Sequence, residues 1–130
     1  MIVVDASALL EALLRTPAAA AVERRLFDSR QTLHAPHLLD VEVAQVVRRY
    51  TAAGELNAER GREALADLAD FPLLRYPHDF LLLRVWELRH NLTAYDAVYV
   101  ALAEALGAPL LTRDQRLAAA PGHHVQVELV

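Results

Sequence analysis

The chain alternates short apolar runs with longer stretches whose apolar residues recur every three or four positions, and this alternation restricts the fold class more than any other feature. Ile2, Val3 and Val4 end at Asp5; Ala8, Leu9, Ala12 and Leu13 then follow at helical spacing until Pro17 stops them. A second helical stretch, 18–27, carries Ala21, Val22, Arg25 and Leu26, and a brief strand is predicted over 32–35 before Pro36. Leu39, Val43, Val46, Val47 and Tyr50 mark a long amphipathic helix over 37–53, closed by Gly54, and Asn57 caps another that runs to about residue 70. Beyond it the pattern predicts a strand over 72–76, a helix over 78–89, and a strongly apolar helix from Thr93 through Ala105, ended by Gly107. A strand over 109–112 leads to Asp114 and a short helix over 115–119, and a last strand occupies 125–129. Parallel neighbours need long crossovers, which these helices supply. The expected class is therefore α/β, a three-layer sandwich with a central, mainly parallel sheet flanked by helices.

At 130 residues the chain fits one domain spanning 1–130. With 55% hydrophobic and 23% charged residues it lies far from the composition of disordered chains. The absence of cysteine excludes disulfides and thiolate zinc sites. No signal-peptide stretch precedes Asp5 and no run reaches membrane-spanning length, so a cytoplasmic protein with no membrane partner is expected. The formal charge of -4 offers nucleic acid no general attraction; phosphate binding would need local patches or bound cations.

Four carboxylates stand out, each with an ordinary structural account beside a chemical one. Asp5 follows a strand and precedes a helix, at the sheet edge where open α/β folds bind ligands, yet an aspartate there also serves as a helix N-cap. Asp114 repeats the situation after Leu110, Leu111 and Thr112, with a cap or Asx-turn as its alternative. Asp96 lies beside the apolar stripe of a largely buried helix, where an unpartnered carboxylate is unfavourable; Thr93 and Asp96 also have capping-box spacing. Glu42 flanks the helix that Pro36 starts and can be read as solvated. Its neighbour Asp40 sits in the first turn, where the helix dipole accounts for it.

Gathered at one sheet edge, these acids repel one another. At an effective dielectric near 20, each close pair opposes folding by about 4 kcal/mol before relaxation. Either their pKa values rise or a divalent cation neutralises them. Oxygen ligands alone, with no Cys and no His pair at zinc-like spacing, point to Mg²⁺ or Mn²⁺. Such an ion answers the charge objection, because a loaded pocket attracts a phosphodiester.

Four segments are similar to those of a known family: 2–10 (Ile-Val-Val-Asp-Ala-Ser-Ala-Leu-Leu), 37–44 (His-Leu-Leu-Asp-Val-Glu-Val-Ala), 92–103 (Leu-Thr-Ala-Tyr-Asp-Ala-Val-Tyr-Val-Ala-Leu-Ala) and 109–117 (Pro-Leu-Leu-Thr-Arg-Asp-Gln-Arg-Leu). In their order and spacing, which cover nearly the whole chain, it resembles the PIN-domain ribonucleases, and most closely the small VapC-type toxins of bacterial toxin-antitoxin pairs. The resemblance implies a PIN-like sandwich and metal-dependent hydrolysis of RNA that leaves a 5′-phosphate and a 3′-hydroxyl. It implies that Asp5, Glu42, Asp96 and Asp114 are the catalytic, metal-binding acids, supported by the hydroxyls of Ser7 and Thr112, for which helix capping is the ordinary alternative. It also implies a homodimer, an RNA substrate, and a cognate antitoxin protein whose peptide covers the acidic groove. The alternative reading is a noncatalytic PIN-like module that binds RNA or protein.

Other chemistries fit less well. Phosphotransfer and receiver families, by resemblance, need a lysine, and all 13 basic residues here are arginine. The four glycines form neither a dinucleotide fingerprint nor a phosphate loop. Arg48, Arg49, Arg113 and Arg116 are placed to contact phosphates near the pocket, or simply to solvate helix faces. Phe80 and Trp86 fit a helix core or a dimer face better than a base-stacking platform.

Overall fold

The computed structural model describes residues 1–130 and contains five strands and seven α-helices. The order is β1 (Ile2–Val4), α1 (Ala6–Leu13), α2 (Ala19–Leu26), β2 (Leu33–Pro36), α3 (Leu38–Ala52), α4 (Ala58–Asp70), β3 (Leu73–Tyr76), α5 (Leu82–Glu87), α6 (Ala94–Leu106), β4 (Leu110–Thr112), α7 (Gln115–Ala119) and β5 (Val127–Leu129). Every strand pair is parallel, in the order β3-β2-β1-β4-β5, so the sheet is wholly rather than mainly parallel. From β1 the chain steps outward through β2 to β3, then crosses back to β4 and on to β5. The direction of winding reverses between β1 and β4, and the crevice outside the carboxyl ends of those two strands is where open α/β sheets place ligands.

Right-handed crossovers send the helices before the reversal to one face and those after it to the other. Accordingly α1 packs on α2, α3 and α4, while α5 packs on α6, and α6 lies across β1, β2 and β4. Covered on both faces, β1 is buried throughout, as a central parallel strand must be. In α6 the seven consecutive residues from Ala97 to Ala103 are all buried, which explains why this helix is nearly continuous in apolar residues instead of striped. Each large apolar side chain taken fully into this core contributes roughly 1.5–3 kcal/mol. Gly107 ends α6 in the left-handed region, φ 61°, a conformation that a side chain disfavours.

Two features depart from the sequence reading. The helix predicted over 78–89 begins as a 3₁₀ turn, Asp79–Leu81, and its α-helical part stops at Glu87. In consequence Phe80 (59% exposed) and Trp86 (66% exposed) are on the surface and not in a helix core, with the Arg89 guanidinium 4.4 Å from the centre of the Trp86 ring. Asp40 receives more than the helix dipole: Arg75 of β3 pairs with it at 2.8 Å and also donates to the Leu68 carbonyl at 2.7 Å. This bridge ties the edge strand β3 to α3. Between β2 and β3, His34 (3% exposed) lies 2.6 Å from the Tyr76 hydroxyl and 2.8 Å from that of Thr32, just before β2. Burial, and then the charge of the N-terminus, hold its imidazole below the ordinary pKa.

Candidate active site

Asp5 leaves β1 as the residue before α1, but its side chain caps nothing. Its Oδ2 instead accepts hydrogen bonds from the Ser7 hydroxyl at 2.6 Å and the Thr112 hydroxyl at 2.8 Å. Both hydroxyl protons are thereby spent on one carboxylate oxygen, so the 3.2 Å approach of Ser7 to Thr112 holds no proton of its own. The hydroxyl oxygens in turn accept backbone amides, Ser7 that of Arg113 at 3.0 Å and Thr112 that of Asp114 at 3.0 Å. Strand ends β1 and β4 are thus stitched together around Asp5, and Oδ1 is left without a side-chain donor. The simple cap reading of Asp5, Ser7 and Thr112 gives way to one in which the two hydroxyls support the acid.

For Asp114 the ordinary account does hold. Its Oδ1 accepts the amides of Arg116 at 2.8 Å and Leu117 at 3.4 Å and so caps α7. For Asp96 half of the capping box is formed: the Thr93 hydroxyl accepts the Asp96 amide at 3.2 Å, with no reciprocal bond to the Asp96 carboxylate from the Thr93 amide. Glu42 is half-buried on α3 and is not simply solvated, because the Tyr99 hydroxyl of α6 donates to its Oε1 at 2.5 Å. Tyr99 escaped the sequence reading. The available signal was a phenol one turn after Asp96 within the apolar run 97–103 of the helix, since a buried hydroxyl must find an acceptor.

All four predicted acids line one cavity of about 750 Å³, together with Ser7, Arg49, Tyr95 and Arg113. Their proximity is visible in their proton affinities. Burial raises the Asp5 carboxyl above its ordinary value, the Ser7 and Thr112 hydroxyls oppose the rise, and the charge of Asp114 adds to it. Glu42 is raised first by burial and then by Asp5 and Asp96, against the Tyr99 hydrogen bond. Asp96 is raised by burial, Asp5 and Asp114, with Thr93 and Arg116 opposing. Tyr99 itself is pushed above the usual phenol range by burial and by the Glu42 charge. The donor set is oxygen only, which suits a hard divalent cation, and such an ion would relieve the repulsion that lifts these carboxyls. The side chains do not already close around an ion: no three of them converge at metal-holding spacing. The residues suit a divalent cation in donor chemistry and in their shared cavity.

The site and the fold define a class. The sequence model of the PIN domain family matches residues 2–122, and the chain belongs to that family. Among characterised relatives it is 49% identical over 129 residues to Ribonuclease VapC1 of Mycobacterium tuberculosis, covering 98% of this chain and 96% of the relative. It is 43% identical over 130 residues to Ribonuclease VapC12 of the same organism, covering 100% and 99%. The fold matches the crystal structure of VapBC2 from Rickettsia felis bound to a DNA fragment from their promoter, with a TM-score of 0.74, 16% identity and coverage of 100% and 99%.

Proposed function

We propose that this chain is an endoribonuclease of the VapC type, the toxin of a toxin-antitoxin pair, and that it cuts RNA with Mg²⁺ or Mn²⁺ held by Asp5, Glu42, Asp96 and Asp114. The observation that carries this reading is that four acids, from the end of β1, from α3, from α6 and from the β4–α7 turn, line one cavity at the reversal of the sheet. Near full-length likeness to two VapC ribonucleases supports it. A divalent cation bound there supplies Lewis acidity, activating the attacking water and offsetting charge on the leaving oxygen.

The chain's own residues do the rest. Ser7 and Thr112 fix Asp5 through Oδ2 and leave Oδ1 without a side-chain donor, so that it would be available to the cation. Asp114 contributes its charge while its Oδ1 holds the start of α7 in place. Water adds to phosphorus, the bond to the 3′ oxygen breaks, and that oxygen leaves with a proton, giving a 5′-phosphate and a 3′-hydroxyl. The same reading includes a cytoplasmic location, an antitoxin that covers the acidic groove, and a homodimer. No helix is long and apolar enough to cross a membrane. Phe80, Leu83 and Trp86 offer exposed apolar surface to a second copy.

The test is cleavage of RNA by the purified chain. Cutting that starts with Mn²⁺ or Mg²⁺, stops with EDTA and leaves 5′-phosphates is expected. RNA binding without cutting would favour a noncatalytic module instead.

The cavity contains two guanidinium groups in different states. Arg113 is engaged by Glu11 at 3.4 Å and donates to the Val130 carbonyl at 2.8 Å. Arg49 has no carboxylate partner, and it stands two helical turns beyond Glu42 on the same face of α3. An unpaired cation beside an acidic pocket is placed to meet a phosphate next to the one being cut. Arg49→Gln is expected to weaken binding to single-stranded RNA and to make the slope of log affinity against log salt shallower by about 0.7, the contribution of one phosphate contact. Fluorescence anisotropy in an Asp5→Asn background measures this without cleavage.

A further inference from the structure

The Glu42 carboxylate makes one hydrogen bond within the chain, and its donor is Tyr99. The tyrosine ring is 0% exposed in the middle of α6, so packing alone would be served equally well by phenylalanine. Its hydroxyl reaches out of the core to a carboxylate on a helix from the other face of the sheet, 57 residues away in sequence. Glu42 in turn lies within the electrostatic reach of Asp5 and Asp96. For stability this is a poor place for a carboxylate, and a guanidinium would be the ordinary remedy. An arginine, however, would neutralise the charge and compete with any cation. A phenol restrains the side chain and leaves its charge intact.

Resting on the metal-dependent reading above, we propose that Tyr99 is a positioning residue: it holds Glu42 by Oε1 and leaves Oε2 free for a divalent cation that would bind in the acidic cavity. It touches neither substrate nor cation and acts only through Glu42. Hydrogen-bond partners of metal-ligating carboxylates typically change metal affinity by roughly 10- to 100-fold when removed, and the lower end is expected for a neutral donor.

The experiment is a Mn²⁺ titration by calorimetry, or by the free-ion electron paramagnetic resonance signal, of the native chain and Tyr99→Phe, with thermal melts of both in the absence of metal. Tyr99→Phe is expected to bind Mn²⁺ about tenfold more weakly. It should melt close to the native temperature and recover most of its cleavage rate when Mn²⁺ is raised to saturation. In a Glu42→Gln background the same change is expected to leave Mn²⁺ affinity where Glu42→Gln alone puts it, because the two residues act as one unit. Unaltered Mn²⁺ affinity in a folded Tyr99→Phe chain, or an equal further loss in the Glu42→Gln background, would overturn the assignment. Should Tyr99→Phe not fold, 3-fluorotyrosine at residue 99 keeps the ring and strengthens the donor, and an unchanged Mn²⁺ affinity there would overturn it as well. A native chain that takes up no Mn²⁺ would remove the metal reading itself, a different failure.

Discussion

Asp5→Asn is expected to lower the rate of RNA cleavage by at least about a thousandfold, roughly 4 kcal/mol of barrier, while leaving the metal-free protein as stable as the native chain or more so. The two halves of this result have one cause. Asp5 is 7% exposed and its carboxyl is raised mainly by burial, so the ionised form destabilises the empty fold. Asparagine removes that charge at constant shape. The Ser7 and Thr112 hydroxyls keep a partner, since they donate to an amide oxygen or rotate to accept from its nitrogen. What is lost is the negative charge that the proposed cation would need. Initial-rate measurements at fixed Mn²⁺, paired with thermal melts in EDTA, check both halves. A variant that retains activity, or that loses activity only because it unfolds, would contradict this account of Asp5.

Saturating Mn²⁺ is expected to raise the melting temperature of the native chain substantially and to do so in a pH-dependent way. At about 100 times the dissociation constant, a ligand that binds only the folded state adds about 2.7 kcal/mol. For a domain of this size that is on the order of 10 °C. The sign of the pH dependence follows from the carboxyls. Asp5, Glu42 and Asp96 are all raised in the folded state, so the stability tied to their protonation is complete below their unfolded values and is lost as pH climbs through the raised ones. Protons and the cation compete for the same oxygens. The difference in melting temperature between loaded and metal-free protein should therefore be largest at neutral to alkaline pH and shrink as the solution is acidified through the raised carboxyl range. Taking that difference at each pH cancels the opposite contribution of His34, whose pKa is lowered by burial and whose stabilising neutral form is lost as pH falls below its unfolded value. Differential scanning fluorimetry across this range, with and without Mn²⁺, gives both quantities. A shift that is absent, or that grows as the solution is acidified, would contradict the cluster's electrostatics.

Much of this architecture is legible from residues alone, for identifiable reasons. Periodicity and punctuation mark the elements, because Pro17, Gly54, Asn57 and Gly107 act locally through the backbone. Five short strands separated by helices leave little choice but a parallel sheet, and strand-end aspartates of such a sheet are bound to face one edge. The boundaries are found within a few residues, except after Tyr76, where the chain tightens into a 3₁₀ turn that apolar spacing does not distinguish from α-helix. What stays hidden depends on rotation and reach across space. Nothing local announces that Arg75 extends to Asp40, that His34 lies between Thr32 and Tyr76, or that α6 turns the Tyr99 hydroxyl toward α3. The exposure of Phe80 and Trp86 is of the same kind: aromatic residues at helical spacing suggest a core, and only the packing of α5 on α6, with Val85 buried, shows which side is covered.

The acids divide in the same manner. Asp5 and Asp114 occupy equivalent places in sequence, each at the end of a strand, yet the first is released from capping by two hydroxyls while the second caps α7. Sequence position treats the two alike; only the hydrogen bonds separate an acid braced by two hydroxyls from one that fastens a helix.

The central claim is that side chains from β1, α3, α6 and the β4–α7 turn form one cation-binding centre. Anomalous scattering from a crystal of the native chain grown or soaked with Mn²⁺ tests it most directly. The account predicts a Mn²⁺ peak in the cavity, ligated by the Asp5 carboxylate and by at least one of Glu42, Asp96 and Asp114. A peak elsewhere on the molecule, or an empty cavity at Mn²⁺ concentrations that support RNA cleavage, would contradict it.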